Sequence, residues 1–257
     1  MSEDEIKLIL EDIEKQGFPL EVKTSEVLKV FGWQVVNQFA YLDYEEQKFR
    51  TVDMFALKAL MADKEMGINL DLIMECKKTA KPWVFYTSNY NQKLLGMRRM
   101  TVAGCQYFIS QIAYQKKSAE RLDDLIMHFL FHTHMGSPIF GKVAYIPFES
   151  FTGGKGRNIH KARMQVCNAI LHLKQRSQEN QIDFPYGDIH IPVIVLDGHL
   201  YAYEDGKLNA EEGFYYNVTY ANSSFIIEIV TKDFLETYLD LIEQEIKKFQ
   251  TKFAKQK

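Results

Sequence analysis

Apolar and polar positions alternate along this chain in two rhythms, and the switches between them mark out its elements. Residues 3–16 carry Ile6, Ile9, Leu10 and Ile13 three and four apart, with acids in the first turn, the spacing of a helix with one apolar side. Gly17 ends it. Phe18, Pro19 and Leu20 then lead into a second helix through Glu21, Val22, Val27, Leu28 and Phe31, stopped at Gly32. The pattern next predicts strands over 33–41 and 48–57, joined by a polar turn at 43–47. After a polar link over 63–69 comes a strand at 70–77, whose apolar run Leu70, Leu72, Ile73, Met74 ends in Glu75, Cys76 and Lys77.

Between 82 and 142 the pattern loosens. Trp83 to Tyr86 form a short apolar run, and helices are predicted near 101–115 and 118–132, with Met100, Met127 and Met135 as core filler. Strand character returns at 143–148. Gly153, Gly154, Lys155, Gly156 and Arg157 make a basic loop that opens a helix over 159–178. The last third is β-rich. Residues 191–196 read as a buried strand, Asp197 and Gly198 predict a hairpin turn into 200–203, and Asp205 and Gly206 mark another turn. Strands at 214–220 and 224–230 and an amphipathic helix through Phe234, Leu235, Tyr238, Leu241 and Ile242 close the chain. The expected fold is α/β: a mixed central sheet flanked by helices, in one domain spanning 1–257, with a mostly helical insertion at about 85–140 and a β-rich C-terminal part.

Composition narrows the class without naming it. With 46% hydrophobic and 25% charged residues, the chain has the makeup of an ordinary globular protein that can bury a core. No apolar run approaches the ~20 residues that cross a bilayer. The acidic start is not a secretory signal, and the three cysteines, Cys76, Cys105 and Cys167, are odd in number and far apart. Both features point to a reducing compartment, the cytoplasm, and away from a disulfide framework. A net charge of -3 leaves no global basic footprint, so phosphate binding would depend on local cations or a metal ion. Acyl transfer and NTP hydrolysis lack their signature motifs.

The polar ending of the strand at 70–77 changes the picture. Glu75 and Lys77 are two apart and therefore share one face of a strand, where an unpaired buried charge is costly. Asp53 lies on the preceding strand, on one face with Thr51 and Phe55, and is expected across from that pair. Two acids on neighbouring strand ends suit a hard divalent cation such as Mg2+, which takes oxygen ligands and keeps several waters. The carbonyls of Ile73 and Cys76 are further oxygens nearby, and the pattern leaves open which of them points inward. Such an ion lowers the pKa of a bound water and neutralises phosphate charge. Lys77 would then orient or help deprotonate the attacking water, or stabilise developing negative charge. Cys76 falls on the opposite face, as a core residue rather than a nucleophile.

This order resembles the PD-(D/E)xK nuclease superfamily, which has the restriction-endonuclease-like fold. Glu21 on a helix, Asp53 on one strand and Glu75-Cys76-Lys77 on the next carry the resemblance, over about residues 18–86. The runs Gly17 to Glu21, Gly32-Trp33, Val52-Asp53 and Glu75 to Lys78 look like members from restriction and defence systems; Val52 stands where the strict motif has Pro. The resemblance implies a restriction-endonuclease-like mixed sheet and phosphodiester hydrolysis without fixing the substrate; the expected substrate is DNA, cut in the manner of a restriction or defence endonuclease. It implies Asp53 and Glu75 as Mg2+ ligands (Mn2+ as a substitute), Lys77 as catalytic lysine, and Glu21 approaching the metal through water. Cleavage of RNA, and a catalytically inactive nucleic-acid-binding module of the same fold, are the alternatives it leaves open. A homodimer or a partner protein docking on the 82–142 segment is compatible with it.

Three weaker signals remain. Lys155 and Arg157, in a Gly-rich loop opening a helix, are candidate phosphate contacts; the resemblance further implies Gln165, on that helix with Ala162 and Ala169, as a polar residue beside the site. Against them stands the plainer reading of a solvated basic loop. His128 and His132 have i, i+4 spacing that zinc could use, with His134 close by, but a structural or surface role is favoured because no Cys or carboxylate accompanies them. Arg98 and Arg99 read as ordinary solvated charge.

Overall fold

The computed structural model describes residues 2–15, 18–62, 65–89, 106–110, 113, 118–130, 139–149, 156–179 and 185–254. Its centre is a parallel pair of strands. β3 (Gly67–Lys78) and β7 (Tyr186–Asp197) run side by side over their whole lengths, from Gly67↔Tyr186 to Lys78↔Asp197. A parallel pair is covered on both faces, so its strands read as continuous apolar runs rather than alternating ones. That is the origin of the runs at 70–74 and 191–196.

On one side of this pair lies an antiparallel meander. β1 (Gln34–Asp43) pairs with β2 (Lys48–Ala62), and β2 pairs with β3. On the other side, β11 (Ser223–Thr231) runs parallel to the second half of β7. The sheet continues through β10 (Gly213–Tyr220), β6 (Lys142–Glu149), β4 (Trp83–Asn89), β8 (Leu200–Glu204) and β9 (Lys207–Ala210). β5 (Gln106–Ile109) pairs antiparallel with the first half of β7, which makes eleven strands among the described residues. The fold is thus α/β, with a large mixed sheet and flanking helices.

Helix α1 (Glu3–Lys15) leaves Ile6, Leu8, Ile9, Leu10 and Ile13 exposed. α2 (Phe18–Val30) buries Leu20, Thr24, Ser25 and Leu28, a stripe at helical spacing. α3 (Ala119–His128) buries Leu122, Leu125 and Ile126. α4 (Arg157–Glu179) buries Ile159, Ala162, Val166, Ala169 and Ile170, and packs against β1, β3 and β7. α5 (Leu235–Ala254) buries Tyr238, Leu239, Ile242, Ile246 and Phe249. Among the described residues no helix is long and apolar enough to cross a membrane.

Two expectations change. The described part of the helix predicted near 101–115 includes the strand β5, because pairing with β7 (Tyr107↔Ile189) outweighs a pattern that local propensity leaves ambiguous. With β4 and β5 beside α3, the described residues of the 85–140 segment are mixed rather than mostly helical. Asp197 and Gly198 do not make a hairpin either. β7 is flanked there by β3 and β11, so β8 has no free edge to join and instead pairs parallel with β4. Gly198 serves close approach: a Cβ there would stand 2.7 Å from the Thr79 carbonyl oxygen. The hairpin comes one turn later at Asp205 and Gly206, both at positive φ, between β8 and β9.

Candidate active site

The candidate site forms where β2 leaves β3. Their antiparallel ladder ends at Met54↔Met74, while β2 goes on with β1 and β3 goes on with β7. Beyond that point the N–H of Cys76 has no ladder partner on β2. The Asp53 side chain takes its place: Oδ2 accepts from Cys76 N at 2.7 Å. Glu75 is the next residue across and is 1% exposed. The Lys77 ammonium, two residues along the same face, donates to Glu75 Oε1. Glu75 Oε2 is buried and has no hydrogen-bond partner, the kind of orphan that a folded protein tolerates when something else is to fill the gap.

Glu21 comes from the first turn of α2. One turn later Thr24 faces the strand, and the Cys76 thiol donates to its Oγ1 at 3.7 Å, which ties α2 to β3 beside the acids. Gln38 links Glu21 to the sheet. It sits on β1 between Asn37↔Met54 and Phe39↔Val52, opposite Asp53, with φ 51° where its neighbours are extended. A non-glycine residue in that region is uncommon and marks a constrained position. Its amide donates to Glu21 Oε2 at 2.6 Å and also bonds the Asp53 carboxylate.

Crowding of acids shows in their proton affinities. Burial pushes Glu75 up to about 7, with Asp53 adding to the rise and Lys77 opposing it. Asp53 is raised by burial, against the hydrogen bond from Cys76 and the charges of Lys77 and Lys161. Glu21 is raised by burial and by Asp53, against Gln38 and Lys77. Glu21 and Glu75 thus each lean on Asp53, with Lys77 bonded to Glu75 and the charge of Lys161 on α4 acting on Asp53. The cluster holds more negative charge than its cations cancel, and a cation would relieve it.

Does the donor set fit Mg2+? Among the described residues no group of three His, Cys, Asp or Glu side chains is arranged to hold a metal ion by itself. Mg2+ does not require one, since it is commonly held by one or two carboxylates with waters completing the shell. Asp53 and the orphan oxygen of Glu75 meet that description, with Glu21 placed for a water-mediated contact. The residues fit the ion.

The other candidates divide. Gln165 is brought to the site: its Nε2 donates to the Thr51 carbonyl at 3.3 Å, two residues from Asp53, and its Oε1 is buried without a partner. Arg157 is the exposed first residue of α4, and the N–H next to it, on Asn158, already donates to Glu149 Oε1 at 3.0 Å. A carboxylate therefore occupies part of the helix start expected to cradle a phosphate. Lys155, Cys105, Arg98, Arg99, His132 and His134 lie outside the described residues. His128 meets Lys252 Nζ at 3.0 Å and the Phe249 ring, in keeping with a surface role.

Sequence reasoning missed Gln38, Lys161 and Tyr41. Lys161 lies four residues before Gln165 on α4, a spacing that was available as a signal. Gln38 offered none, because nothing in a Gln predicts a left-handed residue. Comparison with protein-family models, curated proteins and solved structures finds no match for this chain.

Proposed function

We propose that this chain is a divalent-cation-dependent nuclease of the restriction-endonuclease-like type, hydrolysing phosphodiester bonds in DNA. One observation carries the reading: Glu21, Asp53, Glu75 and Lys77, the residues of the resemblance, converge where β2 and β3 part, with a buried carboxylate oxygen left unpartnered. The fold supports it, since a mixed sheet flanked by helices presents this point at the carboxyl end of the parallel pair β3 and β7, where ligands of α/β sheets gather.

When bound, Mg2+ would supply charge neutralisation at the phosphate and acidify a water. Asp53 and Glu75 would hold it, and Glu75 would give up the proton that its pKa of about 7 lets it keep in the cation's absence. Gln38 fixes Glu21 and Asp53 relative to each other, so the acids do not splay apart under their own repulsion. Lys77, held by Glu75, would offer a positive charge to phosphoryl oxygens that gain charge as water attacks phosphorus and one ester oxygen leaves as an alcohol. The test is incubation of the purified chain with circular DNA, linear DNA and RNA, each with Mg2+, Mn2+ or EDTA. Cleavage of DNA that EDTA abolishes supports the proposal. No cleavage under any condition favours a binding module of the same fold, and cleavage of RNA alone reassigns the substrate.

A further inference from the structure

A cavity of about 550 Å³ opens between the β1–β2 hairpin and the first half of α4, lined among others by Tyr41, Phe49, Thr51, Lys161, Met164 and Gln165. That volume falls within the ~300–1,000 Å³ of small-ligand sites, far more than an ion and its waters occupy. The cavity adjoins the acidic cluster at three points. Thr51 is two residues from Asp53, the charge of Lys161 acts on Asp53, and Glu75 acts on the Tyr41 phenol.

Several of its polar groups are spent on one another, as Asn168 is on Asp43 at 3.2 Å, but two are not. Tyr41 is fully buried, and its hydroxyl has no partner; the Oε1 of Gln165 is likewise buried and unpartnered. Two such groups, one from β1 and one from α4, are costly unless something with a polar edge meets them. Arg50 brings little free charge, because its guanidinium already bonds Asp43 at 3.2 Å and Glu46 at 2.6 Å. Lys161 keeps its charge toward the acids. At the rim, Phe49 is 79% exposed near the hairpin tip, and Met164 adds an apolar surface. An aromatic side chain so exposed at the mouth of a cavity is placed for stacking.

We infer that this cavity receives an unpaired nucleobase of the strand whose phosphate lies at Asp53, Glu75 and Lys77, an inference that rests on the proposed nuclease reading for the position of that phosphate. A base is planar and apolar on its faces, for Phe49 and Met164, and polar on its edge, for the Tyr41 hydroxyl and the Gln165 amide oxygen. In a duplex both faces are stacked and the edge is paired. Only a single-stranded, terminal or extruded base can enter. The preferred substrate is therefore a single strand or an unpaired segment rather than an intact duplex.

The experiment separates this from the parent proposal by measuring binding in EDTA, where no cleavage is needed. Fluorescence anisotropy is recorded for the full chain with three labelled probes: a single-stranded DNA dodecamer, its blunt duplex, and a dodecamer of abasic sugar-phosphate units. The single strand should bind roughly tenfold tighter than either of the others, the size of one stacked base. Phe49→Ala, on the surface, should remove that preference, and Tyr41→Phe should shrink it. Equal affinity for all three probes, tighter binding of the duplex, or an unchanged preference in Phe49→Ala overturns the inference. Adding Mg2+ afterwards tests the parent reading on its own: intact base-dependent binding without cleavage sinks the nuclease and leaves the base site standing.

Discussion

Strand β3 carries a buried acid toward each end, and the two ends treat it differently. At the first, Asp71 pairs with His190 of β7 at 2.9 Å, and Asn69 donates to Asp188 at 2.9 Å across the same parallel ladder. Burial lowers the proton affinity of His190, but Asp71 and Asp188 outweigh it and raise it; Asp188 is pushed up to about 6 by burial and by Asp71. Asp71 Oδ1 is itself buried without a hydrogen-bond partner, so what distinguishes this end is the histidine that its two acids share. β5 closes the other edge of β7 at that level, with Gln106 opposite His190. At the second end, β2 departs and three acids share Lys77, with a carboxylate oxygen left over and a cavity alongside. Burying charge does not make a site. An excess of one sign at a break in the sheet does.

The comparison breaks most visibly at the closed end. Asp71→Ala should cost roughly 3–5 kcal/mol of stability, because it leaves His190 buried without its partner. Cleavage per folded molecule should be untouched. Denaturant melts paired with active-site titration check both halves, and a stable, inactive Asp71→Ala would reverse the roles of the two ends. At the open end, Lys77→Ala should lower the cleavage rate on the order of 10²–10³-fold with little change in unfolding, as for loss of one preorganised charge. Next in size is Gln38→Ala. It touches no substrate in this scheme, but it orients Glu21 and Asp53, so metal affinity should fall roughly 10–100-fold while saturating metal restores the rate. A loss that excess metal does not repair would place Gln38 elsewhere in the chemistry.

The smallest effect is a pH slope. Glu75 folds with its pKa raised from 4.5 to about 7, so between those values the native state holds more protons than the unfolded chain. Metal-free stability therefore falls as pH rises through that window. Asp188 contributes the same sign up to about 6, and the raised His190 loses its contribution as pH climbs past its folded value. Only the Glu75 share should be recovered by Mg2+, and Glu75→Gln should remove that share across the window from 4.5 to about 7, leaving the part that Asp188 and His190 contribute. Thermal melts from pH 5 to 8, with and without Mg2+, resolve the two.

The open end was the more legible one. An apolar strand that stops in Glu-x-Lys, with an Asp on the strand before it, follows from the two-residue period of strands, and the structure brings Asp53, Glu75 and Lys77 together. The closed end could not be read, because Asp71 and His190 lie far apart in sequence and meet through the register of a parallel pair. The same limit hid the cavity: Tyr41 reads as strand core and Phe49 as a hairpin residue until α4 is laid beside them. Asp197-Gly198 misled for a related reason. Its local turn chemistry is that of a hairpin, but both edges of β7 are taken.

Calorimetric titration of the metal-free chain with Mn2+ at pH 7, in two buffers of different ionisation enthalpy, tests the cation site most directly. One ion should bind per chain with release of about half a proton from Glu75, seen as a buffer-dependent heat, and Glu75→Gln and Asp53→Asn should each abolish it. Absence of binding to the unaltered chain, or the same heat from Glu75→Gln, contradicts a cation site at the end of β3.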